Sequence, residues 1–225
     1  MRLKSAILII FAMCLAGCET LQSAFSPIER KVVDNALYSS KYPKGVININ
    51  KDYQYIGMVP ESEYAQYSNG PGGSVQNVSA FLFTSKDAQD FLNSFVSVNF
   101  WSTNEGYWIP GFDRNSNIKV GKYIKDGFRF DTAIYTNHVS RDSKQAIFLE
   151  DNGHLLPSCT INKTYQQIFS SGHMAKNKLT ISYGEAIECA DLMSFLPENR
   201  DTKKSIEFIE NFSARADKNF RVIGF

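Results

Sequence analysis

The chain has 225 residues with 24 basic and 23 acidic side chains, and 43% of its residues are apolar. This is the composition of a globular protein, and 17 Phe and 11 Tyr residues supply material for a substantial core. The nearly balanced charge excludes the large basic surface that nucleic acid requires. It also gives no sign of electrostatic attachment to anionic lipid.

The N-terminus follows the order of a secretory signal peptide. Arg2 and Lys4 provide a positive start, and an unbroken apolar run extends from Ala6 to Ala16. The run is too short for a transmembrane helix, which needs ~20 apolar residues. It ends in Leu15-Ala16-Gly17-Cys18, which resembles the lipobox of bacterial lipoproteins.

The resemblance implies a lipid anchor. In this class the chain is cut before the cysteine, which is Cys18 here. The thiol of that cysteine carries a diacylglyceryl group, and its new amine is usually acylated as well. Palmitate is an expected acyl chain. Residues 1–17 are then the signal peptide, residues 18–26 a tether, and residues 27–225 one exported domain. Two or more acyl chains hold a protein firmly, at ~0.8 kcal/mol per buried CH₂. In some bacteria an Asp directly after the lipidated cysteine retains a lipoprotein at the inner membrane. This chain has Glu19 at that position, which favours the outer membrane, on either its periplasmic or its surface face.

The apolar patterns predict an α+β fold, in which about three helices pack on an antiparallel sheet of about seven to nine strands. The expected helices cover 27–38, 85–97 and 202–216. The expected strands cover 46–50, 53–59, 76–84, 160–169, 178–187 and 220–223, with hairpins over 118–137 and 145–156. No Pro-, Gly- or Ser-rich linker interrupts the middle of the chain, so a single domain is favoured.

Cys159 and Cys189 are predicted to form a disulfide. Export exposes both thiols to an oxidising compartment, where such pairs are normally bonded. Suppose that the strand after Cys159 pairs antiparallel with the strand before Cys189, with Tyr165 opposite Tyr183. The same register then places the two cysteines opposite each other, at ~4.5–5.5 Å between Cα atoms. The alternative, a free catalytic or metal-binding thiol, lacks a partner at a suitable spacing.

The segment 101–117 is rich in aromatic and planar polar side chains, and it contains both tryptophans of the chain. Rings that stack on apolar faces, beside amides and charges that fix orientation, are typical of a sugar- or peptide-binding surface. The alternative is a satellite core beneath a long loop. The candidate binding residues are Trp101, Tyr107, Trp108, Phe112, Asp113 and Arg114.

The sequence contains no recognisable catalytic, metal or cofactor motif. The histidines His138, His154 and His173 have no partner at a metal-ligand spacing, and no nucleophile-elbow motif occurs. We therefore expect no catalytic residue, no metal and no cofactor.

These observations favour a lipid-anchored envelope protein with a non-catalytic binding or assembly role. Its partner is expected to be an envelope protein or peptidoglycan, and its contact with the membrane is made by the acyl chains on Cys18. One alternative is an envelope hydrolase acting on glycan or peptide, which a histidine or carboxylate pair beside Trp108 would support. Another is a surface or toxin-neutralising lipoprotein.

Overall fold

The computed structural model describes residues 30–40, 43–66, 72–106, 108, 111–112, 117–171, 174–195 and 202–225. The predicted signal peptide, the tether and Cys18 lie outside the described residues. Three of the candidate binding residues, Tyr107, Asp113 and Arg114, also lie outside them.

The described residues form eleven strands, two α-helices and one 3-10 helix. The strands are β1 (Arg30–Val33), β2 (Ala36–Ser39), β3 (Gly45–Ile49), β4 (Gln54–Gln66), β5 (Gly73–Lys86), β6 (Leu92–Thr103), β7 (Lys119–Lys125), β8 (Phe128–His138), β9 (Cys159–Ser171), β10 (Met174–Ile187) and β11 (Phe220–Ile223). The helices are α1 (Lys144–Asp151), the 3-10 helix (Cys189–Phe195) and α2 (Lys203–Lys218). None of these helices combines the length and the apolar character needed to cross a membrane.

The strands form two antiparallel sheets. The larger has seven strands in the order β4-β5-β6-β10-β9-β8-β7, and the smaller has four in the order β1-β2-β3-β11. The small sheet and α2 pack against one face of the large sheet, where Tyr165 meets Phe220 with ring centroids 4.8 Å apart and Tyr183 meets Phe212 at 5.6 Å. One cluster of buried side chains joins all three elements. The α+β class and the dominance of antiparallel sheet agree with the prediction.

Several elements are confirmed with small shifts of boundary. The hairpin of β7 and β8 turns at Asp126 and Gly127, whose φ values of 49° and 87° match the type I′ turn that Asp-Gly favours. The helix predicted over 202–216 is α2, and its N-cap is Thr202. The final strand, predicted over 220–223, is β11.

The helix predicted over 27–38 is wrong for the residues that the structure describes. Residues from Arg30 to Ser39 form the β1–β2 hairpin, which turns at Asp34 and Asn35 with φ values of 49° and 60°. The Asn35 side chain donates hydrogen bonds to the carbonyls of Tyr53 and Asn50. An Asp-Asn pair tolerates the left-handed conformation that a tight hairpin needs, and this local preference prevails over the apolar spacing.

The helix predicted over 85–97 is also wrong. Residues 87–90 form a turn, in which the Asp87 carboxylate accepts hydrogen bonds from the backbone of Gln89 and Phe91. The chain then continues as β6, paired with β5 on one side and β10 on the other. Pairing on both sides is a long-range stabilisation that overrides a helical pattern of apolar residues.

The hairpin predicted over 145–156 is replaced by α1 and the loop after it. The helix begins at the N-cap Ser143, whose hydroxyl accepts a hydrogen bond from the Ala146 amide at 3.2 Å. The Asn152-Gly153 pair ends this helix, with Gly153 in the left-handed conformation at φ 78°. The same residue pair that signals a hairpin turn serves here as a helix stop.

The disulfide between Cys159 and Cys189 is present, with its Cα atoms 5.3 Å apart. The predicted register was wrong by two residues, because Cys159 lies opposite Ile187. Cys189 follows β10 and begins the 3-10 helix. A shift of two residues leaves every side chain on its predicted face, whereas a shift of one would have reversed them all.

Candidate functional site

The two faces of the seven-stranded sheet differ in chemistry. On β10, Leu179, Ile181 and Tyr183 point towards the small sheet and α2 and are buried in the core. The alternate residues Lys178 and Thr180 point to the opposite face, which we call the cleft face. Because side chains alternate along a strand, every central strand contributes to both faces.

The cleft face forms the floor of a cleft of about 610 Å³. The central part of this floor consists of hydroxyl and amide side chains from β6, β10, β9 and β8. These residues are Ser97, Asn99, Thr180, Ser182, Thr160, Asn162, Thr164, Gln166, Tyr135 and Asn137. Helix α1 covers one end through Ala146 and Leu149, and aromatic side chains lie at the other end.

The polar floor is internally hydrogen-bonded across the strands. Thr164 and Ser182 share a hydrogen bond of 2.8 Å between hydroxyl oxygens on β9 and β10. The Asn99 amide donates to the Thr180 hydroxyl at 3.3 Å. The Asn162 amide donates to the side-chain oxygen of Asn137 at 2.6 Å. Each of these bonds uses part of the hydrogen-bonding capacity of the two groups and fixes their orientation. The hydroxyls and amides retain further donors or acceptors that a ligand can use.

Both tryptophans lie at the end of the cleft away from α1. Trp101 is on β6, and its indole Nε1 donates to the Thr180 hydroxyl at 3.1 Å. Trp108 follows in the loop, held by a backbone hydrogen bond of 2.9 Å to Ala175. The two rings meet edge to face with centroids 6.0 Å apart. Phe112 and Trp101 line the cleft, and Trp108 packs against Trp101 beside it. The structure thus brings together three of the six predicted binding residues, two of them in the lining of the cleft.

Lys178 lies between the two indoles. Its Nζ is 3.4 Å from the centroid of Trp108 and 4.4 Å from that of Trp101, which are cation–π contacts. Desolvation lowers the pKa of the ammonium to about 8, and the charge of Glu63 opposes this only in part. No carboxylate among the described residues lies within 4.0 Å of Lys178 Nζ, and none of those residues accepts a hydrogen bond from it.

A hydroxyl–imidazole pair lies at the α1 end of the cleft. The Thr84 hydroxyl is 2.8 Å from Nε2 of the buried His154, whose Nδ1 has no hydrogen-bond partner among the described residues. Thr84 lies opposite Phe95 of β6. Phe95 precedes Trp101 by six residues on that strand, so Thr84 is ~20 Å from the tryptophan end of the cleft. The pair does not lie beside Trp108, and the group that orients the imidazole in a nucleophilic triad is missing from the described contacts.

One group of three possible metal ligands occurs within the described ranges: His138, Cys159 and Cys189, with ligand atoms within 4.8 Å of one another. The two sulfurs are bonded to each other, and His138 Nδ1 lies 3.2 Å from Cys159 Sγ. A thiolate is the form of cysteine that binds metal, so the oxidised protein does not present a metal centre here.

Sequence reasoning found the aromatic end of the cleft but missed its polar floor and Lys178. The available signal was a period-two repeat of small polar residues, with Ser97 and Asn99 in β6 and with Thr180 and Ser182 in β10. The prediction of a helix over 85–97 concealed the first of these repeats. Lys178 reads in the sequence as an ordinary surface lysine.

Similarity to known proteins does not assign a function to this chain. Comparison with models of protein families, with curated proteins and with solved structures finds no match.

Proposed function

We propose that the protein is a lipid-anchored lipoprotein of the bacterial cell envelope that binds a cell-wall glycan in this cleft without cleaving it. The observation that carries the proposal is the floor of hydroxyl and amide groups with two tryptophans at one end. The N-terminal sequence supports the anchor, with Cys18 as the lipidated residue and the outer membrane as the favoured location.

The floor suits a sugar because its groups both donate and accept hydrogen bonds. A sugar ring presents hydroxyls around its edge and apolar C–H faces, so its binding site needs mixed donors and acceptors together with aromatic surface. The cleft offers the first through residues such as Asn99, Thr164 and Gln166 and the second through Trp101 and Phe112. Its volume of about 610 Å³ falls in the range of small-molecule sites, ~300–1,000 Å³.

The charged residues of the cleft favour binding over hydrolysis. Glycosidases ordinarily place two carboxyl groups on either side of the bond that they break. Among the described residues that line the cleft, Glu61 is the single carboxylate. A floor of neutral polar groups can hold a glycan but supplies neither an acid nor a nucleophile of that kind.

The tryptophans provide a direct assay for glycan binding. Trp101 lines the cleft, and Trp108, the other tryptophan of the chain, packs against it. Tryptophan fluorescence should therefore change when the full-length protein, purified in detergent, is titrated with chito-oligosaccharides. The double variant Thr164→Val/Ser182→Ala removes both hydroxyls of one floor hydrogen bond, together with the longer contact of 3.3 Å between Thr164 and the Tyr135 hydroxyl. We expect about tenfold weaker binding, since each lost ligand hydrogen bond costs ~0.5–1.5 kcal/mol.

The exposed Ser62 of β4 gives a matched control. Ser62→Ala should bind as tightly as the wild type, because it removes a hydroxyl outside the cleft. The proposal is overturned if the wild type, which must show a cooperative melting transition, binds neither chito-oligosaccharides nor peptidoglycan glycan strands.

The anchor is tested separately by cell fractionation. Cys18→Ala should leave the signal peptide uncut and abolish the lipid-dependent membrane association, since the thiol that receives the diacylglyceryl group is missing. The expected result is a shift in mass together with loss of acyl labelling. A variant that is still processed and acyl-labelled would contradict the lipoprotein part of the proposal.

A further inference from the structure

We infer that Lys178 binds a carboxylate of the ligand, so that the glycan recognised by the cleft is an acidic one. This inference rests on the proposed function and adds the chemical class of the glycan. Its geometric basis is an ammonium group that lies between two indole rings at the end of a neutral polar cleft and lacks an anionic partner among the described residues.

The described neighbours of Lys178 compensate its charge only in part. An ammonium group has three N–H donors, and two ring faces satisfy it less fully than an acceptor would. Burying a charge without a partner is costly, and burial here is sufficient to lower the pKa of the group to about 8. Among the described residues, Glu61 lines the cleft and Glu63 acts on Lys178 through its charge. Both belong to the edge strand β4, and neither lies within 4.0 Å of Nζ.

A structural role does not account for this arrangement. Filling the space between Trp101 and Trp108 requires only an apolar chain, which Met or Leu would supply without burying a charge. Anchoring the loop is done by the backbone hydrogen bond from Trp108 to Ala175. A cation held between aromatic rings, without an anion among the described residues, is preorganised for an anion that arrives with the ligand.

The neighbouring floor residues indicate where the rest of the ligand lies. Thr180 follows Lys178 on the same face, ~6.6 Å along the strand. A sugar ring over Thr180 therefore brings a substituent within reach of the ammonium. The floor beyond it carries hydroxyls and amides and no second cation among its described residues. The site thus fits one carboxylate attached to an otherwise neutral glycan.

The inference is tested by comparing the binding of two glycans, of which one carries carboxylates and the other does not. Peptide-free peptidoglycan strands carry a lactyl carboxylate on every second sugar, and chito-oligosaccharides of equal length have the same backbone without it. We expect the full-length wild type in detergent to bind the carboxylated strands at least tenfold more tightly at low salt. Methyl esterification of the strands should remove the preference, which tests the inference without altering the protein.

Variants then assign the preference to Lys178. Lys178→Met should bind both glycans with the affinity that the wild type shows for the neutral one, and Lys178→Arg should retain the preference. Lys204→Met, which removes an exposed lysine on α2, makes the same change in net charge and should bind like the wild type.

The outcomes separate the two claims. Equal wild-type affinity for carboxylated and esterified strands, with chito-oligosaccharides still bound, overturns the inference and leaves the glycan-binding function intact. A preference that survives Lys178→Met in a folded variant also overturns it. Absence of binding to any of the three glycans overturns both the inference and the proposed function.

Discussion

Two lysines on adjacent strands of the large sheet are shielded from water, Lys163 almost fully and Lys178 in part, but they face opposite sides. Lys163 of β9 lies on the core face beneath α2, where its ammonium pairs with Asp217 at 2.6 Å and donates to Ser213 at 2.8 Å. Lys178 of β10 lies on the cleft face with aromatic rings as its described neighbours. Desolvation lowers the pKa of each.

The difference lies in what compensates the charge. Asp217 opposes the effect of burial on Lys163 and also accepts a hydrogen bond of 2.5 Å from the Tyr165 hydroxyl, whose pKa burial raises. Lys163 is therefore part of a closed network that fixes α2 to the sheet. Lys178 belongs to an open site. A buried charge identifies a candidate functional residue only when the protein has not already supplied its partner.

The disulfide on the core face should have the largest effect on stability. Cys159 and Cys189 are 30 residues apart, and closing a loop of this length is worth about 3–4 kcal/mol on the chain-entropy model. The double variant Cys159→Ser/Cys189→Ser should lower the free energy of unfolding by this amount, measured by urea denaturation. Mass mapping without reductant should recover the bonded peptides, and free thiols there would contradict the assignment.

Breaking the Lys163–Asp217 pair should have the second-largest effect on stability. Asp217→Asn keeps the shape of the side chain but leaves the Lys163 ammonium buried without its counter-charge, at a cost of about 3 kcal/mol. For a chain of this size we expect the melting temperature to fall by ~6–12 °C, while chito-oligosaccharide binding is unchanged. Glu210→Gln, at an exposed position on the same helix, is the control. Equal melting temperatures for the two variants would show that the pair is not stabilising.

Local chemistry accounts for the elements that the sequence predicted well. The Asp126-Gly127 turn needs only residues that tolerate positive φ, and α2 needs only its cap Thr202 and the buried stripe of Ile209 and Phe212. The helix predicted over 85–97 failed because the apolar spacing in β6 suits both a helix and a strand. The two neighbouring strands that decide between them are not visible from that segment alone.

The site shows the same limit. Trp101, Trp108 and Phe112 are close in sequence, so their crowding could be recognised without a structure. Lys178 and Thr180 lie about eighty residues later and reach the tryptophans only through the pairing of β6 with β10. A cleft floor assembled from four strands is a long-range property, and no local pattern specifies it.

Trp108→Ala tests whether the aromatic end of the cleft binds ligand or merely fills space. Losing the ring should weaken chito-oligosaccharide binding about tenfold, since an aromatic stacking contact is worth ~0.5–1.5 kcal/mol beyond its buried area. The free energy of unfolding should change by less than ~1 kcal/mol, because the ring is only half-buried. Tyr38→Ala, on the small sheet and 41% exposed, should leave binding intact. A large fall in melting temperature without loss of binding would instead favour the satellite core.

The smallest expected effect is the pH dependence of stability that comes from Lys178. A lysine whose pKa is raised by a partner loses its stabilising contribution as the pH rises, whereas Lys178 should give the opposite trend. Its pKa falls from 10.5 to about 8 on folding, so between these values the unfolded chain binds more protons and the free energy of unfolding must rise with pH. Below pH 8 both states are protonated and the cost of burying the charge is present in full. Because Lys178→Met lacks this group, the stability of the wild type relative to the variant should increase by about 1 kcal/mol from pH 7 to pH 10. Groups that titrate alike in the two proteins cancel in that difference. A flat difference would mean that the charge of the Lys178 ammonium is already compensated in the folded protein.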